Sequence, residues 1–171
     1  MKILIIYSTK WGVSKACAQM LADRLTPSFD ITVCDIQDTP PSPEAFEVAV
    51  IGGSIRMGKL NKKLKEYLKA HADLLNTRHA ALFLCCGFTE NFDDYARMQF
   101  PKNISADLGV HFFGGELKPQ KLTGVDRILV KMLRSEVLRD DFEAPDPDIS
   151  PLPEIIPENI FRLADSIRGL L

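Results

Sequence analysis

Five short apolar runs, most of them separated by stretches of helical periodicity, constrain the fold of this chain more than any other feature. The first run, residues 2–7 (KILIIY), is rich in β-branched side chains, which is typical of a parallel strand covered on both faces. The helix that follows is predicted to end before Pro27, because proline cannot continue it. Its apolar face is expected at Ala16, Met20, Leu21 and Leu25.

The same alternation continues to the end of the chain. Further strands are predicted at 30–34, 48–51, 80–86 and 110–113, and helices at 60–75, 90–100 and 157–171. This order predicts an α/β fold of three layers, with a doubly wound, five-stranded parallel sheet. In such folds, ligands bind in a crevice at the carboxyl ends of the strands.

One connection is longer than this pattern needs. Residues 116–156 form an insert after the fifth strand, whereas most connections in a compact domain are only about 4–6 residues long. The insert contains a helical pattern at 124–138 and then a proline-punctuated acidic stretch. Long inserts are often functional. The whole chain of 171 residues is predicted to be one domain, spanning 1–171.

Composition excludes several classes of function. The chain is 46% hydrophobic and 26% charged, with a net charge of −2, so we expect a soluble globular protein without the basic field of a nucleic-acid-binding protein. The four cysteines have no C-x-x-C spacing and the three histidines are scattered, so no metal site is predicted. No leader or membrane-spanning run is recognised, which predicts a cytoplasmic location with reduced thiols.

The residues between the first strand and its helix, STKWGVS at 8–14, break the apolar pattern abruptly. A loop that leaves a parallel strand and starts a helix aims backbone N–H groups and the positive end of the helix dipole into the crevice. Ser8, Thr9 and Ser14 add hydroxyl groups, and Gly12 allows a close approach of the backbone. The loop therefore predicts a phosphate site.

Other interpretations of this loop follow from what it contains and lacks. Ser14 is also a plausible N-cap in an ordinary turn between strand and helix. The chain has no G-x-x-x-x-G-K-[ST] pattern, and no G-x-G-x-x-G follows the first strand. A nucleoside-triphosphatase loop and a dinucleotide site are therefore not predicted.

STKWGVS resembles the S-T-x-x-G-x-[ST] phosphate loop of the flavodoxin family. The resemblance implies strand order 2-1-3-4-5 and FMN as the cofactor. It places the FMN phosphate among Ser8, Thr9, Lys10, Trp11, Gly12, Val13 and Ser14. It places the isoalloxazine ring against the loops after strands three and four, with contacts from Ser54, Ile55, Arg56, Met57, Gly58, Cys86, Gly87, Phe88 and Thr89.

The run VIGGSIRMG, followed by an amphipathic helix, is similar to the quinone-linked protoporphyrinogen oxidase branch of that family. GGELKP and DRILVKML in the insert are similar to the insert of that branch, and the resemblance covers most of residues 1–138. It implies an FMN oxidoreductase with a porphyrin-type substrate and a quinone acceptor. Arg56 is then the candidate cation for the flavin or for a substrate propionate. One alternative is a non-enzymatic electron carrier that is recognised by a redox partner protein. Another is a protein of the same fold that has lost FMN, against which the intact hydroxyl loop argues.

Several side chains have a structural alternative beside the functional one. Trp11 and Phe88 are the aromatic residues best placed to flank a ligand, while Tyr95 and the thiols of Cys85 and Cys86 are expected to be buried packing groups. Residues 118–138 carry an apolar stripe with basic flanks. This pattern fits either peripheral contact with the inner face of a membrane or a helix that packs on the sheet.

Overall fold

The computed structural model describes residues 1–56, 58–86, 92–115 and 154–171. It confirms the predicted fold class, because five strands form one parallel sheet in the order β2-β1-β3-β4-β5. The strands are β1 (Lys2–Ser8), β2 (Asp30–Asp35), β3 (Val48–Ser54), β4 (His79–Cys85) and β5 (Val110–Phe112). The helices are α1 (Val13–Leu25), α2 (Lys62–Ala70), α3 (Ala72–Leu75), α4 (Phe92–Gln99) and α5 (Pro157–Arg168).

The two faces of the sheet are covered by different helices. Side chains alternate between the faces along a strand, so Ile3 and Ile5 pack with α1 and α5, whereas Leu4 and Ile6 pack with α2 and α4. All four of these residues are fully buried. This double cover explains why the strands are apolar at nearly every position.

Two helices differ in detail from the sequence prediction. The apolar face of α1 includes Cys17, Leu21 and Leu25, which are spaced four residues apart. Ala16 is exposed. The expected place of Ala16 on the buried face was wrong, because the sheet contacts the neighbouring stripe of the helix. The predicted helix over 60–75 is divided into α2 and α3 at His71, whose φ of −114° and ψ of 13° leave the helical region.

The ends of the predicted insert lie side by side at the edge of the sheet. Gly114 and Ile155 form an antiparallel bridge. The N–H of Gly115 donates to the carbonyl of Glu154 at 3.0 Å, and the N–H of Ile156 donates to that of Phe113 at 3.0 Å. The segment between them, with its predicted helix at 124–138 and its basic stripe at 118–138, lies outside the described residues.

Candidate functional site

The carboxyl ends of β1, β3 and β4 bring the three predicted flavin loops to one edge of the sheet. The register pairs Ser8 with Gly53 and Ser54 with Cys85. Neighbouring strands in a sheet lie only about 4.8 Å apart. The loop after β1, the loop after β3 and the start of the loop after β4 are therefore direct neighbours, as the sequence predicted.

The loop after β1 is built around a left-handed glycine. Gly12 has φ 96° and ψ −5° and is the N-cap residue of α1. Its N–H donates to the Thr9 hydroxyl at 2.9 Å, and its carbonyl accepts the N–H of Ala16, also at 2.9 Å. The backbone N–H groups in the first turn of a helix have no partner within the helix, so this loop ends at a set of donors that suits an anion.

Ser8 carries a buried side-chain hydroxyl at the carboxyl end of β1. The residue is only 3% exposed, and among the residues that the structure describes its Oγ has no hydrogen-bond partner. A buried hydroxyl without a partner costs about 1–3 kcal/mol. The hydroxyl lies against Gly53, where an added Cβ would be 2.0 Å from Ser8 Oγ. Ser8 is the last residue of β1, so this donor lies where the candidate phosphate loop begins, and the absence of a side chain at Gly53 leaves room for it.

Ser14 lies inside α1 rather than at its N-cap, so the interpretation of Ser14 as a capping residue was wrong. The cap position belongs to Gly12, whose backbone turns the chain. Ser14 is fully buried, and its Oγ is 2.6 Å from Ser54 Oγ, a hydrogen bond that joins the first turn of α1 to the end of β3. Its role as a phosphate ligand stays a prediction.

Two thiols lie beneath this hydroxyl pair. Cys17 Sγ and Cys85 Sγ are 3.8 Å apart, and both residues are buried. The hydrogen bond with Cys17 is the largest effect that raises the pKa of the Cys85 thiol, and burial is the second. A hydrogen bond with Ser14 lowers this pKa. The Cys85 thiol is therefore neutral and packs in the core, as the sequence indicated.

Cys86 is also buried, at 7% exposure, and its N–H donates to the carbonyl of Gly114 at 3.0 Å. That hydrogen bond connects the site to the base of the insert. Gly87, Phe88 and Thr89, the other predicted contacts after β4, lie outside the described residues. The same is true of Met57 in the loop after β3.

The loop after β3 is a tight turn. Ile55 N–H donates to the carbonyl of Cys85 at 2.9 Å, which extends the pairing with β4 by one residue. Arg56 and Lys59 then exchange two backbone hydrogen bonds of 2.9 Å each, and Gly58 between them has φ 70°. The Arg56 side chain is exposed, so this turn presents a guanidinium group at the edge where the flavin is predicted.

A residue that sequence reasoning missed holds this turn in place. Gln99, at the end of α4, is 6% exposed, and its side-chain amide bonds to the backbone at Gly58 and at Leu60. Its Nε2 donates to the Gly58 carbonyl at 2.9 Å, and its Oε1 accepts the N–H of Leu60 at 3.0 Å. The available signal was a glutamine on the face of α4 that also carries Phe92 and Tyr95, both of which pack on the core.

Trp11 is half-buried in the first loop, with Lys10 Nζ 5.6 Å from its ring centroid. This contact keeps the aromatic ring and a positive charge together beside the helix terminus. Tyr95 lies near Gly58, where an added Cβ would be 3.9 Å from its ring. The packing interpretation of Tyr95 agrees with its place beside the second core cluster.

The amino end of the sheet carries a separate polar cavity of about 460 Å³, which His79 and Asp107 line together with Glu47 and Arg78. His79 Nδ1 lies 2.6 Å from Asp107 Oδ2, and the N–H of Ala80 donates to Asp107 Oδ1 at 2.7 Å. These bonds tie the loop before β5 to the start of β4. In the described ranges, no group of three or more metal-binding side chains comes together.

The sheet order and the cluster of loops define a doubly wound α/β protein whose candidate site lies at the carboxyl edge of the sheet. The model of the flavodoxin domain matches residues 4–143. The chain therefore belongs to the flavodoxin family.

Solved structures of flavodoxins share this fold. A flavodoxin of Streptococcus pneumoniae TIGR4 superposes with a TM-score of 0.57 at 14% identity, covering 100% of both chains. The flavodoxin of Fusobacterium nucleatum bound to flavin mononucleotide gives a TM-score of 0.55 at 11% identity, covering 99% of this chain and 98% of the other. At these identities the likeness is one of fold.

A curated relative is more similar in sequence over a shorter range. Protoporphyrinogen IX dehydrogenase (quinone) of Escherichia coli strain K12 is 33% identical over 85 residues, which is 48% of this chain and 47% of the relative. The chain spans about half the length of the curated relatives it matches. Separately, no helix within the described ranges is long and apolar enough to cross a membrane.

Proposed function

We propose that this protein binds FMN at the carboxyl edge of its sheet and uses it for electron transfer. The observation that carries the proposal is the buried Ser8 hydroxyl, which has no hydrogen-bond partner among the described residues and precedes a loop that turns at a left-handed Gly12 into α1. FMN, when bound, supplies the redox chemistry, and the protein supplies position and electrostatics.

The proposed cofactor contacts follow the two loops that the structure describes. In the first loop, hydroxyl and N–H donors of Ser8 to Ser14 hold the phosphate. In the second, the backbone of Ser54, Ile55 and Gly58 lies along the ring. Arg56 is the proposed cation for the pyrimidine edge of the flavin or for an anionic substrate. Cys86 borders the ring from the end of β4.

We further propose that the protein is an oxidoreductase related to quinone-linked protoporphyrinogen oxidase. The support is the 33% identity with the Escherichia coli enzyme, together with the exposed Arg56 at the site, which suits a propionate-bearing substrate. A quinone is the proposed acceptor. Peripheral contact with the inner face of a membrane through 118–138, and a cytoplasmic location otherwise, remain predictions.

The second candidate is a flavodoxin-type carrier without a substrate of its own. The observation that favours it is the full-length structural similarity to flavodoxins. The two functions separate in one assay, since a carrier requires only a redox partner protein, whereas the oxidase is reduced directly by protoporphyrinogen.

The first experiment compares FMN binding in two glycine variants with similar backbones. Gly12 and Gly109 have φ of 96° and 90°, and among the described residues neither has an atom closer than 3.4 Å to an added Cβ. Gly12→Ala and Gly109→Ala should each lose about 1–2 kcal/mol of stability from left-handed strain. Only Gly12→Ala should weaken FMN binding, by about tenfold or more, as followed by the visible absorbance of the flavin.

Equal FMN affinity in the two variants would contradict the proposed phosphate loop. With FMN bound, anaerobic addition of protoporphyrinogen followed by a menaquinone analogue then tests the enzyme. Bleaching by the porphyrinogen and recovery with the quinone support the oxidase. Stable oxidised flavin in the presence of the porphyrinogen supports the carrier instead.

A further inference from the structure

The outer face of α2 is strongly basic. Lys62, Lys65 and Lys69 follow one another at spacings of three and four residues, so they lie on one side of the helix. The opposite side, with Leu64 and Leu68, is fully buried in the core. We call the three lysines, together with Lys59 and Arg56 of the preceding turn, the basic stripe.

The stripe differs sharply in charge from the rest of the chain. Residues 56–69 contain six basic side chains and a single acidic one, Glu66, which gives the segment a net charge of +5. Because the whole chain carries −2, the other residues together carry −7. The acidic partner within the segment is weakly engaged, since Lys62 Nζ lies 3.6 Å from Glu66 Oε1 with both side chains well exposed.

The stripe begins at the proposed flavin site. Arg56 and Lys59 form the turn after β3, and Asn61 caps α2 directly after it by accepting the N–H of Lys63 at 2.9 Å. From Lys62 to Lys69 the helix advances about 10 Å. This length exceeds what a pair of small carboxylates would need, so the stripe suits a larger acidic surface.

We propose that the basic stripe is the docking surface for an acidic redox partner protein, which approaches the flavin edge over α2. The proposal rests on the proposed FMN site. A protein is favoured over a membrane because interfacial helices also insert an apolar face, and the apolar face of α2 is buried. In the described part of the chain, the large exposed hydrophobic residues are elsewhere: Met98, Val110, Phe161 and Leu171.

Electrostatics of this kind suits a transient electron-transfer complex. Complementary charge mainly accelerates encounter and selects the partner, while small interfaces allow rapid release. The attraction should fall with ionic strength, because exposed charges are screened over about 8 Å at physiological salt. The Asp93 and Asp94 side chains in the first turn of α4 are exposed and carry the opposite charge, which helps to fix the orientation of a partner.

The test begins with the protein without flavin, so it does not depend on the FMN site. A fluorescein-labelled poly-glutamate peptide is titrated with three proteins and followed by anisotropy at low and high salt. The stripe variant is Lys62→Glu with Lys69→Glu. The control is Lys102→Glu with Arg162→Glu, which makes the same change in net charge at two exposed positions outside α2 and the turn before it.

We expect salt-sensitive binding to the wild type, an affinity about tenfold lower in the stripe variant, and little change in the control. Equal losses in both variants would show that net charge alone decides and would overturn the proposal. Vesicles of phosphatidylcholine and phosphatidylserine provide a second arm. If vesicle binding requires Lys62 and Lys69 while peptide binding does not, the stripe binds a membrane and the proposal is wrong.

A second measurement uses the protein loaded with FMN and reduced anaerobically. Two ferricyanide ions, or two hexaammineruthenium(III) ions, each accept one electron from the reduced cofactor, and its two protons go to solvent. If electrons leave the flavin beside the basic stripe, added salt should slow the reaction with anionic ferricyanide and accelerate the reaction with cationic hexaammineruthenium(III). The opposite trends would show that electrons leave the flavin through an acidic surface, which would overturn the proposal. If FMN does not bind, only the proposed function fails, and the peptide titration still decides on the stripe.

Discussion

Replacing Gln99 by leucine tests how the turn after β3 is held. Leucine keeps the approximate volume of glutamine and removes both hydrogen bonds, from Nε2 to the Gly58 carbonyl and from the Leu60 N–H to Oε1. The two losses are unequal. Leu60 is 4% exposed, so its N–H becomes a buried donor without a partner, whereas Gly58 is half-buried and its carbonyl loses an ordinary, part-buried hydrogen bond.

The magnitude follows from these two groups. An unpaired buried N–H costs about 1–3 kcal/mol, and an ordinary hydrogen bond contributes about 0.5–1.5 kcal/mol. Together they predict a loss of about 1.5–4.5 kcal/mol in the free energy of unfolding. For a chain of this size, each kcal/mol lowers Tm by about 2–4 °C. Urea denaturation followed by circular dichroism measures the loss, with Met98→Leu as control, because the neighbouring Met98 side chain is 73% exposed.

A glutamate at this position separates the donor from the acceptor. Gln99→Glu retains the acceptor for Leu60, and when protonated it also retains a donor for Gly58. Burial raises the pKa of such a carboxyl group above its unfolded value. Stability close to that of the wild type is therefore expected at low pH and is lost as pH rises through the folded pKa. A loss below about 0.5 kcal/mol in Gln99→Leu, or a pH-independent loss in Gln99→Glu, would refute the reasoning, because surface substitutions reach that size.

Three further predictions concern other parts of the molecule. Gly53→Ala places a Cβ 2.0 Å from Ser8 Oγ, so thermal unfolding should show a loss of about 1–3 kcal/mol and FMN titration should show weakened binding; unchanged affinity would remove Ser8 from the site. Burial raises the pKa of Asp107, but hydrogen bonds from Ala80 and His79 outweigh it and leave the pKa lowered. The stability advantage over Asp107→Asn should therefore be present above the unfolded pKa and disappear as pH falls through the folded pKa, in urea titrations across acidic pH; a constant difference would contradict this. Because Cys85 is buried and its pKa is raised, maleimide labelling read by mass spectrometry should modify it only after unfolding, and rapid labelling of the native protein would show that the core opens there.

The sheet was predictable because its signal is local and repeated. Each strand is a short apolar run, and the alternation with helices admits few topologies. The direction in which each side chain points was harder to predict from the sequence. Ala16 and Cys17 are adjacent small residues in α1, and only packing against the sheet decides which of them is buried.

The meeting of the candidate loops at the carboxyl ends of the strands was predictable, whereas their binding of a cofactor stays a prediction. Gly12 was recognised because a glycine between a strand and a helix allows the backbone to bend or to approach a ligand closely; its left-handed conformation came from the structure. No sequence signature exists for the hydrogen bond between Ser14 and Ser54, which are 40 positions apart. None exists either for the hydrogen bond from Gln99 to Gly58 in the turn after β3. Both are contacts between distant segments, whose meeting depends on the completed sheet. The assignment of the whole chain to a single domain stays a prediction.

The antiparallel bridge between Gly114 and Ile155 has an evolutionary consequence. It fixes the two ends of residues 116–153 beside each other, so whatever lies between them starts and finishes at one point of the scaffold. Closing a loop on fixed ends costs little more as the loop lengthens: going from four residues to this span adds only about 2 kcal/mol. The sheet can therefore accept exchanged segments at this junction, and new specificities can be acquired there while the fold is inherited unchanged.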